Sequence, residues 1–327
     1  MFTAFCSLLS TGCVRLPLKT PVRQPPELPQ SLSAQLVHSQ NEPQFVFAVF
    51  DENNRGLTYD IFQVGLESYV PHEGTNKVLT LECHIPRDAK NCPVIVLLPI
   101  SAGSKYELER KFIAPYFAER GFAVILVFRE DMRNVSDKAA IDILLRQSVL
   151  DEKRVLDWIE TRSEFDSKRI ASLGTSMGAI KNALLVATDS RIKAAALVLG
   201  GQDLANILAY TKDGAVRAGL SHKPRGISSR VEQYLREYKM TRQEFEQGLA
   251  GIEWDPKNLA PYVAPEKVLL ILGACDCIVP FRTGLALRKD MGGPETHVLV
   301  SGHYTSFLYI TYIRSTALQF FERRFKE

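Results

Sequence analysis

From about residue 44 onward, short and nearly unbroken apolar runs alternate with stretches whose apolar positions recur every three or four residues. The runs occupy 93–99 (PVIVLLP), 123–128 (AVILVF), 169–173, 194–199 (AAALVL), 267–272 (KVLLIL) and 296–300 (THVLV). Each has the length of a strand buried on both faces. Between them, Ile141, Leu144, Leu145, Ser148, Val155, Leu156 and Ile159 fall on one side of a helix at 3.6 residues per turn. Strands alternating with amphipathic helices specify the α/β class: a mostly parallel sheet flanked by helices. Segments 62–70 and 77–86 precede this rhythm and predict an antiparallel opening. No internal repeat or low-complexity stretch interrupts it.

The rhythm breaks at about 202–262, a segment too long for a crossover between neighbouring strands. It carries helices of its own. Thr241-Arg242-Gln243-Glu244 reads as a capping box, Val231, Tyr234, Leu235 and Tyr238 form one apolar stripe, and Phe245 and Leu249 another. The insertion follows a strand at the sheet edge where α/β proteins bind ligands, so a helical lid is expected; the alternative is an excursion packed on the core. Tyr210, Tyr234 and Tyr238 are candidates to line an acyl pocket, although aromatic residues at helical spacing more often serve the core.

The first thirteen residues, MFTAFCSLLSTGC, contain no charge, and the stretch after them is dense in proline. Residues 1–12 read as a targeting segment, 13–43 as a Pro-rich linker and 44–327 as the folded domain. Leu8-Leu9-Ser10-Thr11-Gly12-Cys13 resembles a bacterial lipoprotein signal. That resemblance implies lipidation of Cys13 and a protein anchored to a bacterial membrane surface, facing the periplasm or exterior. Without the anchor, a cytoplasmic location is the alternative. Cys83 and Cys92 flank a turn-like HIPRDAKN and are read either as a pair or as buried thiols. Cys275 and Cys277, one residue apart, are read as packing.

Composition narrows the function. Of 327 residues, 46% are hydrophobic and 24% charged, the proportions of an ordinary globular protein. Lys and Arg number 40 against 37 Asp and Glu, for a net charge of +3, with no basic face of the kind nucleic acid requires. No apolar run reaches the ~18 residues of a membrane-spanning helix. There is no Walker A sequence, no HExxH and no Gly-x-Gly-x-x-Gly between a strand and a helix, so no nucleotide or metal cofactor is implied.

The informative stretch is Arg169-Ile-Ala-Ser-Leu-Gly174-Thr-Ser176-Met177-Gly178-Ala179, a strand, a Gly-x-Ser-x-Gly turn, and then a helix former. The pentad alone is weak, since chance supplies roughly one in every ten chains of this length. Its context is stronger. A serine at a strand–turn–helix tip adopts a strained backbone, needs small flanking residues, and faces the N-terminal amides of the helix behind it. Serine also needs a base, and the base needs an orienter. Asp276 follows one buried strand and His303 the next. Ser176, Asp276 and His303 therefore lie at three strand ends on one edge of the sheet, in the chain order Ser, Asp, His. His297 lies at the entry end of its strand, the wrong end for catalysis, and His38, His72, His84 and His222 lie in the linker, the opening strands or the insertion and are read as structural or exposed.

In RIASLGTSMGA, LLILGACDCIVP and VLVSGH the chain resembles the α/β-hydrolase superfamily, most closely its dienelactone-hydrolase-like and peptidase-like esterase branches. The resemblance implies Ser176 as nucleophile, His303 as general base and Asp276 as the residue that holds the imidazole tautomer. It also implies an oxyanion hole made by the backbone N–H groups of Met177 and Ser101. The sequence reads Pro99-Ile100 where the family commonly has His-Gly. The expected function is cleavage of small-molecule carboxylic esters through an acyl-enzyme, with activity rising with pH as His303 loses its proton. Peptide or amide cleavage and acyl transfer use the same triad and stay open, as does a non-catalytic, membrane-tethered binding protein of the same fold.

Overall fold

The computed structural model describes residues 12–19, 24–36, 45–50, 58–100, 108–128, 136–212 and 227–327. Among these, ten strands join in one sheet: β1 (Cys13–Leu16), β2 (Phe45–Phe50), β3 (Tyr59–Val70), β4 (Thr75–Pro86), β5 (Cys92–Leu98), β6 (Ala123–Val127), β7 (Phe165–Thr175), β8 (Ile192–Val198), β9 (Val268–Gly273) and β10 (Glu295–Leu299). Their spatial order is β1-β10-β9-β8-β7-β5-β6-β4-β3-β2. The six strands from β10 to β6 run parallel. β4, β3 and β2 continue antiparallel on one side, and β1 closes the other side antiparallel to β10.

Ten α-helices are described: α1 (Gln30–Ala34), α2 (Ala114–Ala118), α3 (Lys138–Glu160), α4 (Met177–Thr188), α5 (Leu204–Tyr210), α6 (Ile227–Glu237), α7 (Arg242–Gly248), α8 (Pro256–Leu259), α9 (Phe281–Asp290) and α10 (Ile310–Lys326). The strands look uniformly apolar because both of their faces are covered. Val94, Val96, Ile125, Ile170, Leu197 and Leu270 pack against Val155 and Ile159 of α3, Ala183 of α4 and Leu287 of α9. Their neighbours Ile95, Leu97, Leu126, Leu173, Ala196 and Ile271 face the other way, onto Phe117 of α2 and Ile313, Phe320 and Phe321 of α10. Asp137 caps α3 by accepting the Ala140 N–H at 3.1 Å. None of the described helices is long and apolar enough to cross a membrane.

Beyond α3 and α4 lies a further apolar layer. Val231 and Leu235 of α6, Phe245 of α7, Leu249 and Trp254 are buried with Ile141, Leu145, Met177 and Ile180. The described part of the 202–262 insertion is thus bound to the domain by a core of its own. Both halves of the capping box at Thr241 and Glu244 are formed. Tyr234 stacks with Tyr238 at 4.4 Å and on Phe245 at 5.6 Å, while the Arg282 guanidinium sits over the Tyr210 ring. These tyrosines pack on one another and on their neighbours.

One expectation changes, and one open alternative is settled. The stretch read as a linker is docked: β1 adds to the open edge of β10, and Leu32 and Leu36 are buried beside Trp254. An unpaired sheet edge exposes a ladder of unmet backbone groups, and four residues of suitable alternation suffice to satisfy it. Cys83 and Cys92 are both buried thiols, not a pair. β6 lies between their strands, which puts two inter-strand spacings, about 9.5 Å, between the backbones, beyond the reach of a disulfide.

Candidate active site

Ser176 stands between the end of β7 and the start of α4 with φ 57° and ψ −118°, a conformation that side chains rarely adopt. Its N–H donates to the Val198 carbonyl at 2.8 Å, and its carbonyl accepts from Ala179 and Ile180, so neighbouring structure holds the strain. The flanking glycines are required by space. A Cβ on Gly174 would lie 2.3 Å from the Gly178 carbonyl oxygen, and one on Gly178 would lie 2.1 Å from that of Leu98. Met177 opens α4, and its N–H is among the first four of the helix, which have no acceptor within it.

His303 follows β10 in a loop pinned from several sides. Thr305 Oγ1 accepts the Gly302 N–H at 2.8 Å, and Ser306 Oγ donates to the His303 carbonyl at 2.6 Å. The Cys275 N–H donates to the Ser301 carbonyl at 2.9 Å, tying this loop to the one after β9. That second loop carries Asp276. One of its oxygens, Oδ1, accepts the N–H groups of Ile278 and Val279 at 2.9 and 3.0 Å. The other, Oδ2, lies 2.7 Å from His303 Nδ1, and His303 Nε2 lies 2.9 Å from Ser176 Oγ. The three side chains named from the sequence thus meet in one line. Asp276 is buried, the imidazole is mostly buried, and the exposed Tyr304 ring stands edge-on beside it at 5.8 Å.

Two other aspartates, Asp255 and Asp203, are engaged elsewhere. Asp255 is buried as a cap, accepting from Asp203 N, Leu204 N and Lys257 N, and burial pushes its carboxyl up. Asp203 pairs with Lys257 at 3.1 Å. Ser101, the expected second oxyanion donor, lies outside the described residues. Glu109 was not anticipated. It begins a π-turn, Glu109–Ile113, is fully buried, and accepts the Ile100 N–H at 2.9 Å, one residue before Ser101 in the sequence. Burial pushes its carboxyl up, with the Ile100 N–H partly opposing that shift. No sequence periodicity marks a lone glutamate as a backbone anchor.

Cys13 is the first residue of β1, opposite Leu299. Its Sγ lies 3.1 Å from the Tyr312 hydroxyl, and the same hydroxyl lies 2.6 Å from His297 Nδ1. His297 Nε2 in turn faces Glu295 at 3.2 Å. The described residues contain no group of His, Cys, Asp and Glu able to hold a metal ion.

Over residues 73–254, more than half of the chain, the sequence matches the model of the X-Pro dipeptidyl-peptidase (S15) family. That segment includes Ser176 and ends before Asp276 and His303. No curated protein matches the chain. Among solved structures, acetyl xylan esterase 1 from Thermoanaerobacterium sp. superposes with a TM-score of 0.59 at 13% identity, covering 92% of this chain and 99% of that one. An acetyl xylan esterase from Paenibacillus sp. R4 gives 0.55 at 19% identity, covering 88% and 91%. A cold-adapted esterase from an Arctic intertidal metagenomic library gives 0.54 at 16% identity, covering 85% and 99%. At such identities the likeness is one of fold, the α/β-hydrolase fold, with the mostly parallel sheet described above.

Proposed function

The chain belongs to the X-Pro dipeptidyl-peptidase (S15) family of hydrolases, and we propose that it is a serine esterase that cleaves small carboxylic esters through an acyl-enzyme. The observation that carries this reading is the unbroken line from Asp276 through His303 to Ser176, at 2.7 and 2.9 Å. Asp276 Oδ2 accepts a hydrogen bond from Nδ1–H and so selects the tautomer whose Nε2 takes the proton of Ser176. The serine oxygen then attacks the ester carbonyl. Negative charge develops on the carbonyl oxygen at the head of α4, where the Met177 N–H and the helix dipole oppose it. Ser101, next in sequence after the Ile100 that Glu109 anchors, supplies the second N–H. The imidazolium returns its proton to the departing alcohol, and water resolves the acyl-enzyme by the same steps.

Esters are favoured over peptides because the three structural neighbours named above are esterases, each covered over nine-tenths or more of its own length. The family match favours a second reading, release of X-Pro dipeptides. Both predict an activated serine. The test is labelling by a fluorophosphonate probe, with Ser176→Ala alongside, followed by turnover of p-nitrophenyl acetate and of an X-Pro nitroanilide. We expect labelling that vanishes in the variant, and ester turnover that exceeds anilide turnover. A folded protein that does not label overturns the serine-hydrolase reading, and faster anilide turnover selects the peptidase.

A further inference from the structure

Away from the triad, the sheet edge gathers a second set of titratable groups on one face. Cys13 and Arg15 of β1 lie opposite Leu299 and His297 of β10, and Glu295 is two residues before His297 on the same side. Tyr312 and Arg323 reach this face from α10. Glu295 is held ionised by the hydrogen bond from His297, with Arg323 at 2.6 Å and Arg15 at 2.9 Å adding to it against the opposing effect of burial. Tyr312 Oη stands between sulfur and imidazole, 3.1 Å from Cys13 Sγ and 2.6 Å from His297 Nδ1.

These positions satisfy two proton arrangements equally well. In one, the thiol donates to Tyr312, Tyr312 donates to Nδ1, and Nε2 donates to Glu295. In the other, both imidazole nitrogens are donors, to Tyr312 and to Glu295, and Tyr312 donates to a thiolate. Moving between them shifts one proton across each of two hydrogen bonds and leaves every donor with an acceptor. Burial, with the Cys13 sulfur beside it, pushes the Tyr312 phenol up to about 12, so the hydroxyl relays a proton without ionising. Burial works against the charged forms of Cys13 and His297. The hydrogen bonds and charges they share with their neighbours outweigh it, lowering the thiol and raising the imidazole.

We propose that Cys13 is a second nucleophile of this protein, a thiol activated by His297 through Tyr312, and that it forms mixed disulfides with small disulfides. The thiol proton passes to Tyr312 Oη as the phenolic proton moves to Nδ1. The thiolate attacks one sulfur of the incoming disulfide, a new S–S bond forms as the old one breaks, and the second sulfur leaves with the electron pair as a thiolate. The Cys13 sulfur rises by one oxidation level and the leaving sulfur falls by one, so the incoming disulfide is the only oxidant required. The leaving thiolate then takes up a proton from solvent or the imidazolium. Glu295 orients the ring as Asp276 orients His303. This role requires the bare thiol, whereas a lipid anchor would occupy the same sulfur.

The test treats the reduced full-length protein with oxidised glutathione from pH 6 to 9 and follows each cysteine by mass spectrometry, with fragmentation to separate Cys6 from Cys13. The exposed Cys275 and Cys277 serve as internal references. We expect Cys13 to reach its maximal rate at lower pH than either reference and to react several-fold faster than both at pH 7. Tyr312→Phe, which keeps the ring but removes the relay, should move the profile upward to that of the references. The wild-type profile stands as evidence even if the variant, checked by thermal melting, does not fold. A Cys13 profile matching the references, an advantage that survives in folded Tyr312→Phe, or a diacylglyceryl group on Cys13 each overturns the proposal.

Discussion

His297 and His303 lie six residues apart along one strand and its exit loop, and each bonds a carboxylate through one ring nitrogen. Their surroundings differ. His297 is the middle residue of β10, on a face covered by α10, where its partner is a phenol. His303 lies beyond the strand end, where the loop reaches the head of α4 and its partner is the strained Ser176. A strand face fixes a side chain against whatever helix covers it, whereas a strand end lets the loop carry the side chain over the sheet edge, where helix N-termini converge. Histidine chemistry here is decided by position along the strand, since residue type and carboxylate contact are shared.

The strongest test of that contrast substitutes each histidine in turn. His303→Ala should lower ester turnover by about 10³-fold or more, because His303 Nε2 is the base that meets Ser176 Oγ. His297→Gln should leave it within about threefold, since the two clusters share no side chain. Comparable losses in steady-state kcat for both variants would erase the distinction.

A finer cut goes through the orienting carboxylate. Asp276→Asn keeps an acceptor for the Ile278 and Val279 N–H groups but presents an amide N–H to Nδ1. That selects the tautomer whose Nε2 carries a proton and cannot take one from serine, so kcat should fall about 10²- to 10⁴-fold at pH 7 with the melting temperature nearly unchanged. A variant with native turnover would remove Asp276 from the relay.

The smallest expected effect lies at the far end of the helix that starts behind Ser176. Asp189 follows α4 and binds Arg191 at 2.7 Å and Lys153 at 3.1 Å. Burial alone would raise its carboxyl, yet the Arg191 hydrogen bond and the two cations depress it to about 2. A depressed carboxylate contributes stability above its unfolded value near 3.8, and that contribution is lost as pH falls from about 4 toward 2. Asp189→Asn should therefore cost roughly 2 kcal/mol near neutral pH and flatten the acid limb of the stability curve, with kcat preserved. Denaturant melts at pH 7 and pH 3 would show it, and an equal loss at both pH values would assign the effect to packing instead.

The geometry that brings Ser176, Asp276 and His303 together was largely legible because most of its determinants are local. Gly174 is required within the turn itself, where the Gly178 carbonyl stands in the place of a side chain, whereas Gly178 is required by the Leu98 carbonyl at the end of β5. Asp276 and His303 each follow an apolar run, and a run buried on both faces announces a parallel strand whose end is at the ligand-binding edge. The capping box at Thr241 and the antiparallel β3–β4 opening were readable for the same reason. Glu109 was not readable, since its role is set by the place where the Ile100 N–H arrives. Nor was the separation of Cys83 from Cys92, because their closeness along the chain says nothing of the strand inserted between them.

The sequence by itself determined the α/β class, the strand-turn-helix around Ser176 and the chain order of its two partners, all written in patterns spanning a few residues. Only the tertiary structure decided that Cys13 faces Tyr312 and His297, nearly three hundred residues away, because β1 completes the open edge of β10. Edge pairing is chosen by backbone groups common to every residue, so it leaves almost no mark on side-chain pattern. The chemistry of Cys13 therefore follows from where its backbone docks.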